Sequence, residues 1–189
     1  MLFPQALWHY AVDFFCDVAY TIAILRRSDA RADRYANADM RHLCSQAIVL
    51  RTFDYSESDR IVSLYTKDFG RLRMIAKGAK RSHKRFGSGL ELFTHIQAFF
   101  ADRENRGLAR LERCQIITAF QQIAEDIRRA VFGTYMLELV DTLTPEREQH
   151  EEVFSLLLFF IPLLMGRAFR EDLLRIFELR LFSLLGYQP

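Results

Sequence analysis

Residues 67–85, KDFGRLRMIAKGAKRSHKR, hold Lys67, Arg71, Arg73, Lys77, Lys80, Arg81, Lys84 and Arg85 against one acid, Asp68. The formal net charge of all 189 residues is only +2, so positive charge is concentrated here. A local basic stripe on a nearly neutral chain is the footprint of a polyanionic partner, most often nucleic acid. Read as a strand, residues 70–77 send Leu72, Met74 and Ala76 to one face and Arg71, Arg73 and Lys77 to the other. One strand then feeds a core and lines a phosphate path. The competing reading is an edge strand guarded by charge. Edge protection does not require the run to continue through Lys80, Arg81, Lys84 and Arg85. Single-strand binding also needs planar groups on which bases stack. Tyr65, Phe69, Phe86 and Phe93 are near in sequence. Core packing suits Tyr65 and Phe93 better. Phe86, between Arg85 and Gly87, is the best stacking candidate. The expected DNA-contacting set is Arg71, Arg73, Lys77, Lys80, Arg81, Lys84, Arg85 and Phe86.

Catalytic chemistry is less well supported. His9, His42, His83, His95 and His150 show no metal-ligand spacing, and no C-x-x-C pair occurs. His95 in a strand reads as a partly buried structural residue. Asp54, Glu57 and Asp59 could in principle share acid–base work, but they precede a strand in a polar turn and read as solvated. No G-x-x-x-x-G-K-[ST] loop is present, and Gly78, Gly87 and Gly89 are too dispersed for a nucleotide fingerprint. The expectation is a binding protein with no catalytic residue, no metal and no cofactor.

These residues need elements to position them. The length suits one large domain or two small ones, and seventeen Phe point to a substantial core. Cys16, Cys44 and Cys114 are odd in number and far apart, which fits a reducing cytoplasm. Residues 6–25 have spanning length but contain His9, Asp13 and Asp17, and residues 153–165 are too short to span and contain Pro162. No membrane association is expected.

Residues 1–40 look unlike the rest: an aromatic, helix-compatible start is followed by a polar tract, RRSDARADRYANAD, and Met40 opens a fresh segment. Short strands with turns follow, at 46–52, 59–66, 70–77, 92–101 and 108–115, with a mobile loop at 80–89. Five strands without intervening helices suggest a small barrel, and a five-stranded OB-fold fits that count. From Thr118 the pattern turns helical. Thr118 and Gln121 match a capping box ahead of Phe120, Ile123, Ile127, Val131 and Tyr135 at helical spacing. Thr144-Pro145 reads as the start of a second helix, and a third runs over 171–185 with Leu174, Phe177, Leu181 and Leu184 on one stripe. The fold class is α+β: a five-stranded OB-fold barrel, 44–116, then an α-helical domain, 117–189, with 1–43 as an extension.

Residues 45–81, SQAIVLRTFDYSESDRIVSLYTKDFGRLRMIAKGAKR, resemble the amino-terminal barrel of the RecO family of bacterial DNA repair proteins. The shared elements are an opening strand ending in Arg51, the acidic S-E-S-D turn, the T-x-x-x-G step and the A-K-G-A-K-R run. The resemblance continues over about 44–189. It implies an OB-fold followed by helices, and a recombination mediator that binds single- and double-stranded DNA. Such a protein anneals complementary strands and helps load the recombinase, indirectly, on DNA coated with single-strand-binding protein. It also implies a RecR-type partner, the tail of single-strand-binding protein as a second, and a place in the bacterial cytoplasm at the nucleoid. Arg71, Lys77, Lys80 and Arg81 match the basic part of the family motif. The chain departs from the family at three points. Residues 1–39 have no counterpart, the segment before Phe93 lacks the usual proline, and the chain stops where the family continues, as if truncated. A protein-interaction adaptor, whose basic barrel grips an acidic peptide tail, is the alternative function.

Overall fold

The computed structural model describes residues 41–102, 107–166, 170 and 172–187; of the extension expected at 1–43, residues 1–40, with Cys16 and His9, lie outside them, and 41–43 belong to the first barrel strand. Five strands, β1 (Arg41–Asp54), β2 (Arg60–Thr66), β3 (Gly70–Ala76), β4 (Thr94–Asp102) and β5 (Ala109–Ala119), close a barrel in the order β1-β2-β3-β5-β4. Every pairing is antiparallel except β3 with β5. Closure depends on β1. Its first half pairs with β4 and its second half with β2, and a register irregularity between Val49 and Arg51 lets one strand serve both neighbours. Three helices follow a 3-10 turn at Gln121–Glu125: α1 (Ile127–Leu143), α2 (Glu151–Leu163) and α3 (Asp172–Leu184). None of the described helices is long and apolar enough to cross a membrane.

The alternation expected in β3 holds: Leu72, Met74 and Ala76 are buried in the barrel with Val49, Leu64, Ile96, Phe100 and Leu111. A second core lies outside the barrel wall. Ile48, Leu50, Tyr65 and Phe93 face outward and pack against Met136, Leu137, Val140, Phe154, Leu157 and Phe177 of the helices. β2 is therefore buried on both faces, although Ser63 and Tyr65 alternate with Val62 and Leu64 as if to face water. Tyr65 and Phe93 are core residues, as expected. His95 is also buried, with its imidazole 3.2 Å from the Gln46 amide oxygen and edge-on to Phe154. Two glycines set the close approaches. A Cβ on Gly133 of α1 would lie 2.7 Å from the Phe93 ring, and one on Gly70, at φ +65°, would lie 1.8 Å from the Glu148 carbonyl oxygen.

The helix boundaries differ from the sequence expectation. Thr118 is no cap: β5 continues through the β-branched Ile116, Ile117 and Thr118, and Thr118 pairs with His95. Asp126 caps α1 instead, its carboxylate accepting from the amides of Arg128 (2.9 Å) and Arg129 (3.3 Å). Because the 3-10 turn breaks the helical phase, Phe120 and Ile123 are buried but Ile127 and Val131 are exposed. Thr144 ends α1 by donating its hydroxyl to Val140 O at 2.6 Å. Pro145 starts no helix; residues 145–149 run along β3, and α2 begins only at Glu151. Of the stripe expected on the third helix, Phe177 and Leu181 are buried, Leu174 is partly so, and Leu184, at the helix end, is exposed.

Candidate nucleic-acid interface

The cations of β3 and those that follow it have different surroundings. Arg71 and Arg73 alternate outward, but the chain after α1 covers them. Arg147 N donates to Arg71 O (2.9 Å), and Arg71 Nε donates to Thr144 O (2.8 Å). The Arg71 guanidinium also lies 3.6 Å from Asp141 and 3.7 Å from Glu146, with only 14% of the side chain exposed. Arg73 pairs with the same Glu146 carboxylate. Arg51 approaches Asp141 at 3.7 Å from β1. Arg147 itself, at φ +64°, forks onto the Asp102 carboxylate at the end of β4, and that hydrogen bond holds its pKa above the usual value. This is a seam of carboxylates and guanidiniums between barrel and helices. In this structure Arg71 belongs to the seam and not to an open phosphate path, and Arg73 has an acidic partner.

Beyond β3 the picture reverses. Around the loop expected at 80–89, consecutive turns run through residues 78–91, and both ends are tied to the barrel by hydrogen bonds. Gly78 N donates to Asp59 Oδ1 (2.8 Å), Lys80 N to Ser58 O (3.0 Å), and Thr52 Oγ1 to Leu90 O (2.6 Å). Burial alone would raise the Asp59 pKa, yet the Gly78 amide and the Ser58 and Ser56 hydroxyls outweigh it and hold the carboxyl below its usual range. The expected stacking residue Phe86 is a correction. It is 3% exposed and fills the barrel core together with Leu90. An aromatic this apolar gains more from closing the barrel than from waiting in water for a base. Arg85 stacks over its ring at 5.0 Å and donates to Lys77 O (2.8 Å) and Ser82 Oγ (3.0 Å), so it too is partly structural. Lys80 is held by Asp54 (3.0 Å) and by Ser56 O (2.8 Å), a contact that lowers the Asp54 pKa. Lys77, Arg81 and Lys84 remain exposed, Arg81 only loosely near Glu57 at 3.9 Å.

The turn segment brings these cations to residues that were not expected in the site. Cys114 N donates to Arg85 O (3.0 Å), which sets the basic run against β5. Arg110 and Arg113 of β5 are exposed beside it, and the Arg113 guanidinium lies 3.5 Å over the ring of Phe99 on β4. Strict alternation would set Arg110 and Arg113, three residues apart, on opposite faces; the irregularity at Glu112 turns both outward, and the β3–β5 pairing and the Arg85–Cys114 bond bring them to the run. The Cys114 thiol, by contrast, is partly buried and pushed up to about 11 by that burial, which favours its protonated form. Among the described residues no cluster of His, Cys, Asp and Glu could hold a metal ion. The exposed cations of this surface are Lys77, Arg81, Lys84, Arg110 and Arg113, a set whose charge is able to pair with phosphates.

The family model described as recombination protein O N terminal matches residues 40–120, and recombination protein O C terminal matches residues 124–189. The relatives include proteins named DNA repair protein RecO. That of Syntrophus aciditrophicus is 40% identical over 145 residues, 77% of this chain and 56% of the relative. That of Symbiobacterium thermophilum is 40% identical over 144 residues, 75% and 56%. That of Geobacter sulfurreducens is 39% identical over 150 residues, 79% and 60%. The chain thus spans between half and two thirds of these relatives' length. With both family models matched in order along a closed five-stranded barrel and the helices after it, the chain belongs to the RecO family of DNA repair proteins.

Proposed function

We propose that this protein is a recombination mediator that acts by binding DNA, not by catalytic turnover. It binds single- and double-stranded DNA, anneals complementary strands, and assists recombinase loading on DNA coated with single-strand-binding protein, at the bacterial nucleoid. Its partners are a RecR-type protein and the tail of single-strand-binding protein. The observation that carries the DNA-binding part is the exposed cationic surface from Lys77, Arg81 and Lys84 to Arg110 and Arg113 on a closed barrel. Family membership supports the rest.

A second reading has an observation of its own. The barrel's cations already grip carboxylates, those of Asp141 and Glu146, within the same chain. An adaptor that recognises an acidic peptide tail would use the same chemistry. Fluorescence anisotropy of a labelled single strand at several salt concentrations separates the two. If all five exposed cations engage phosphates, log affinity falls against log salt with a slope of about −3 to −4. A slope near about −1, with equally good binding of an acidic peptide, would favour the adaptor.

A further inference from the structure

The helices cover only part of the barrel. Ile48 and His95, side by side on the outer face of β1 and β4, lie beneath them. The next rows of the same face are open. One row runs Gln46, Gln97, Gln115 across β1, β4 and β5, and the next runs Cys44, Phe99, Arg113. Gln46, Cys44, Gln115 and Arg113 are exposed, and Gln97 and Phe99 partly so. At the centre, the Arg113 guanidinium lies flat enough on Phe99 to bring its carbon 3.5 Å from the ring centroid. Its outer face is turned to solvent. No carboxylate falls in either row; Glu112, at the irregularity beside them, is occupied with His42 at 3.2 Å.

Resting on the DNA-binding reading above, we infer that this face is a stacking platform for the unpaired bases of single-stranded DNA, centred on Arg113 and Phe99. A guanidinium is planar and delocalised, so a base can stack on it while the ring beneath holds it in place. Of the flanking amides, Gln97 donates to Cys44 Sγ (2.8 Å) and keeps its oxygen as an acceptor, while an amide such as that of Gln115 can donate and accept toward a base edge. Phosphates passing this platform meet Arg110 on the same strand and the Lys84 segment across Cys114. A duplex hides its π-faces, so it uses the cations without the platform.

Arg113→Lys tests this in the full chain, because lysine keeps the charge and loses the plane. With a dT oligonucleotide the expected result is a five- to tenfold weaker affinity (on the order of one stacked base) with the salt slope unchanged and duplex affinity within twofold. An affinity within twofold of the parent, or an equal loss for single strand and duplex, overturns the platform. So does a protein partner that covers this face while oligonucleotide binding stays constant. A second measurement needs no variant: an oligonucleotide carrying 5-bromodeoxyuridine should photocrosslink to β4 or β5 at Phe99 or its neighbours. Crosslinks confined to residues 78–91 overturn the inference too. If the parent chain itself binds no oligonucleotide, or binds without steep salt dependence, the broader DNA-binding reading fails, which is a distinguishable result.

Discussion

Two groups of cations stand close together in the sequence and have opposite roles. Arg71 and Arg73 of β3 are gripped by Asp141 and Glu146 and fasten the helices to the barrel. Lys77, Arg81 and Lys84, which follow within the same basic run, face solvent on a segment tied down by its backbone. The residue types are the same; what differs is whether another element packs over them. A basic strand under a helix pair needs carboxylate partners, because burying a guanidinium unpaired costs several kcal/mol. A basic turn segment at a barrel end needs only a buried anchor, which Phe86 supplies. Positive charge in this sequence therefore has two settings, paired beneath the helices and facing solvent, and only the tertiary neighbours separate them.

The contrast can be broken most severely at the anchor. Phe86→Ala should cost about 3–5 kcal/mol of stability in urea titration, through a cavity in the barrel core. If stability held and only oligonucleotide binding fell, Phe86 would be a stacking residue after all. Next in size, Arg71→Ala should cost about 2–3 kcal/mol by leaving Asp141 and Glu146 with fewer partners, somewhat below a fully buried pair. Single-strand affinity of the folded variant should stay within twofold. A large affinity loss at unchanged stability would move Arg71 from the seam to the DNA path. Arg81→Ala with Lys84→Ala sharpens the other side. The double variant should melt like the parent, bind all sequences more weakly, and lose about 1.5 from the single-strand salt slope if each cation holds one phosphate. An unchanged slope would show that neither does. The smallest effect expected comes from His95, the imidazole of β4 buried against Phe154. Burial holds the His95 pKa below its ordinary 6.5, so the folded state disfavours the protonated ring. The stability associated with the neutral ring is fully present above about pH 6.5 and declines as pH falls through that value toward the lower folded pKa. His95→Gln should flatten the melting-temperature profile between pH 7 and 5; a profile identical to the parent's would assign the acid sensitivity elsewhere.

Much of the fold was readable from local pattern. Period-two alternation in β3 and the turn spacing found the five-stranded barrel, and the apolar spacing of Phe177 and Leu181 found the last helix. The failures share a cause. Arg71 meets partners more than seventy residues further along the chain, and no local signal announces such a pair. Phe86 sits in a polar, glycine-rich segment whose composition says loop, while its ring closes a core built by distant strands. Ser63 and Tyr65 alternate as though β2 were half-solvated, and only the helices above make them buried. Thr118 and Thr144 satisfy short cap patterns, but β-branched neighbours keep the first in a strand and the Val140 carbonyl takes the second. Arg110 and Arg113, at odd spacing, would fall on opposite faces of a regular strand; the irregularity at Glu112 turns both outward, and they join the basic run through the parallel β3–β5 pairing and the Arg85–Cys114 bond.

Gly70 and the stretch it admits constrain how such proteins can be recombined with one another. The Glu148 carbonyl occupies the space a side chain at residue 70 would fill, and Arg147 reaches across to Asp102. The path from α1 to α2 is thus shaped to one particular barrel. A chimera that joins the barrel of one homologue to the helices of another near residue 120 would cut between β5 and α1, where the sequence pattern changes. It would nevertheless separate residues 144–149 from the β3 edge they fit. A crossover after residue 150 keeps that fit, so the unit that is inherited intact is the barrel with α1 and its exit, not the barrel alone.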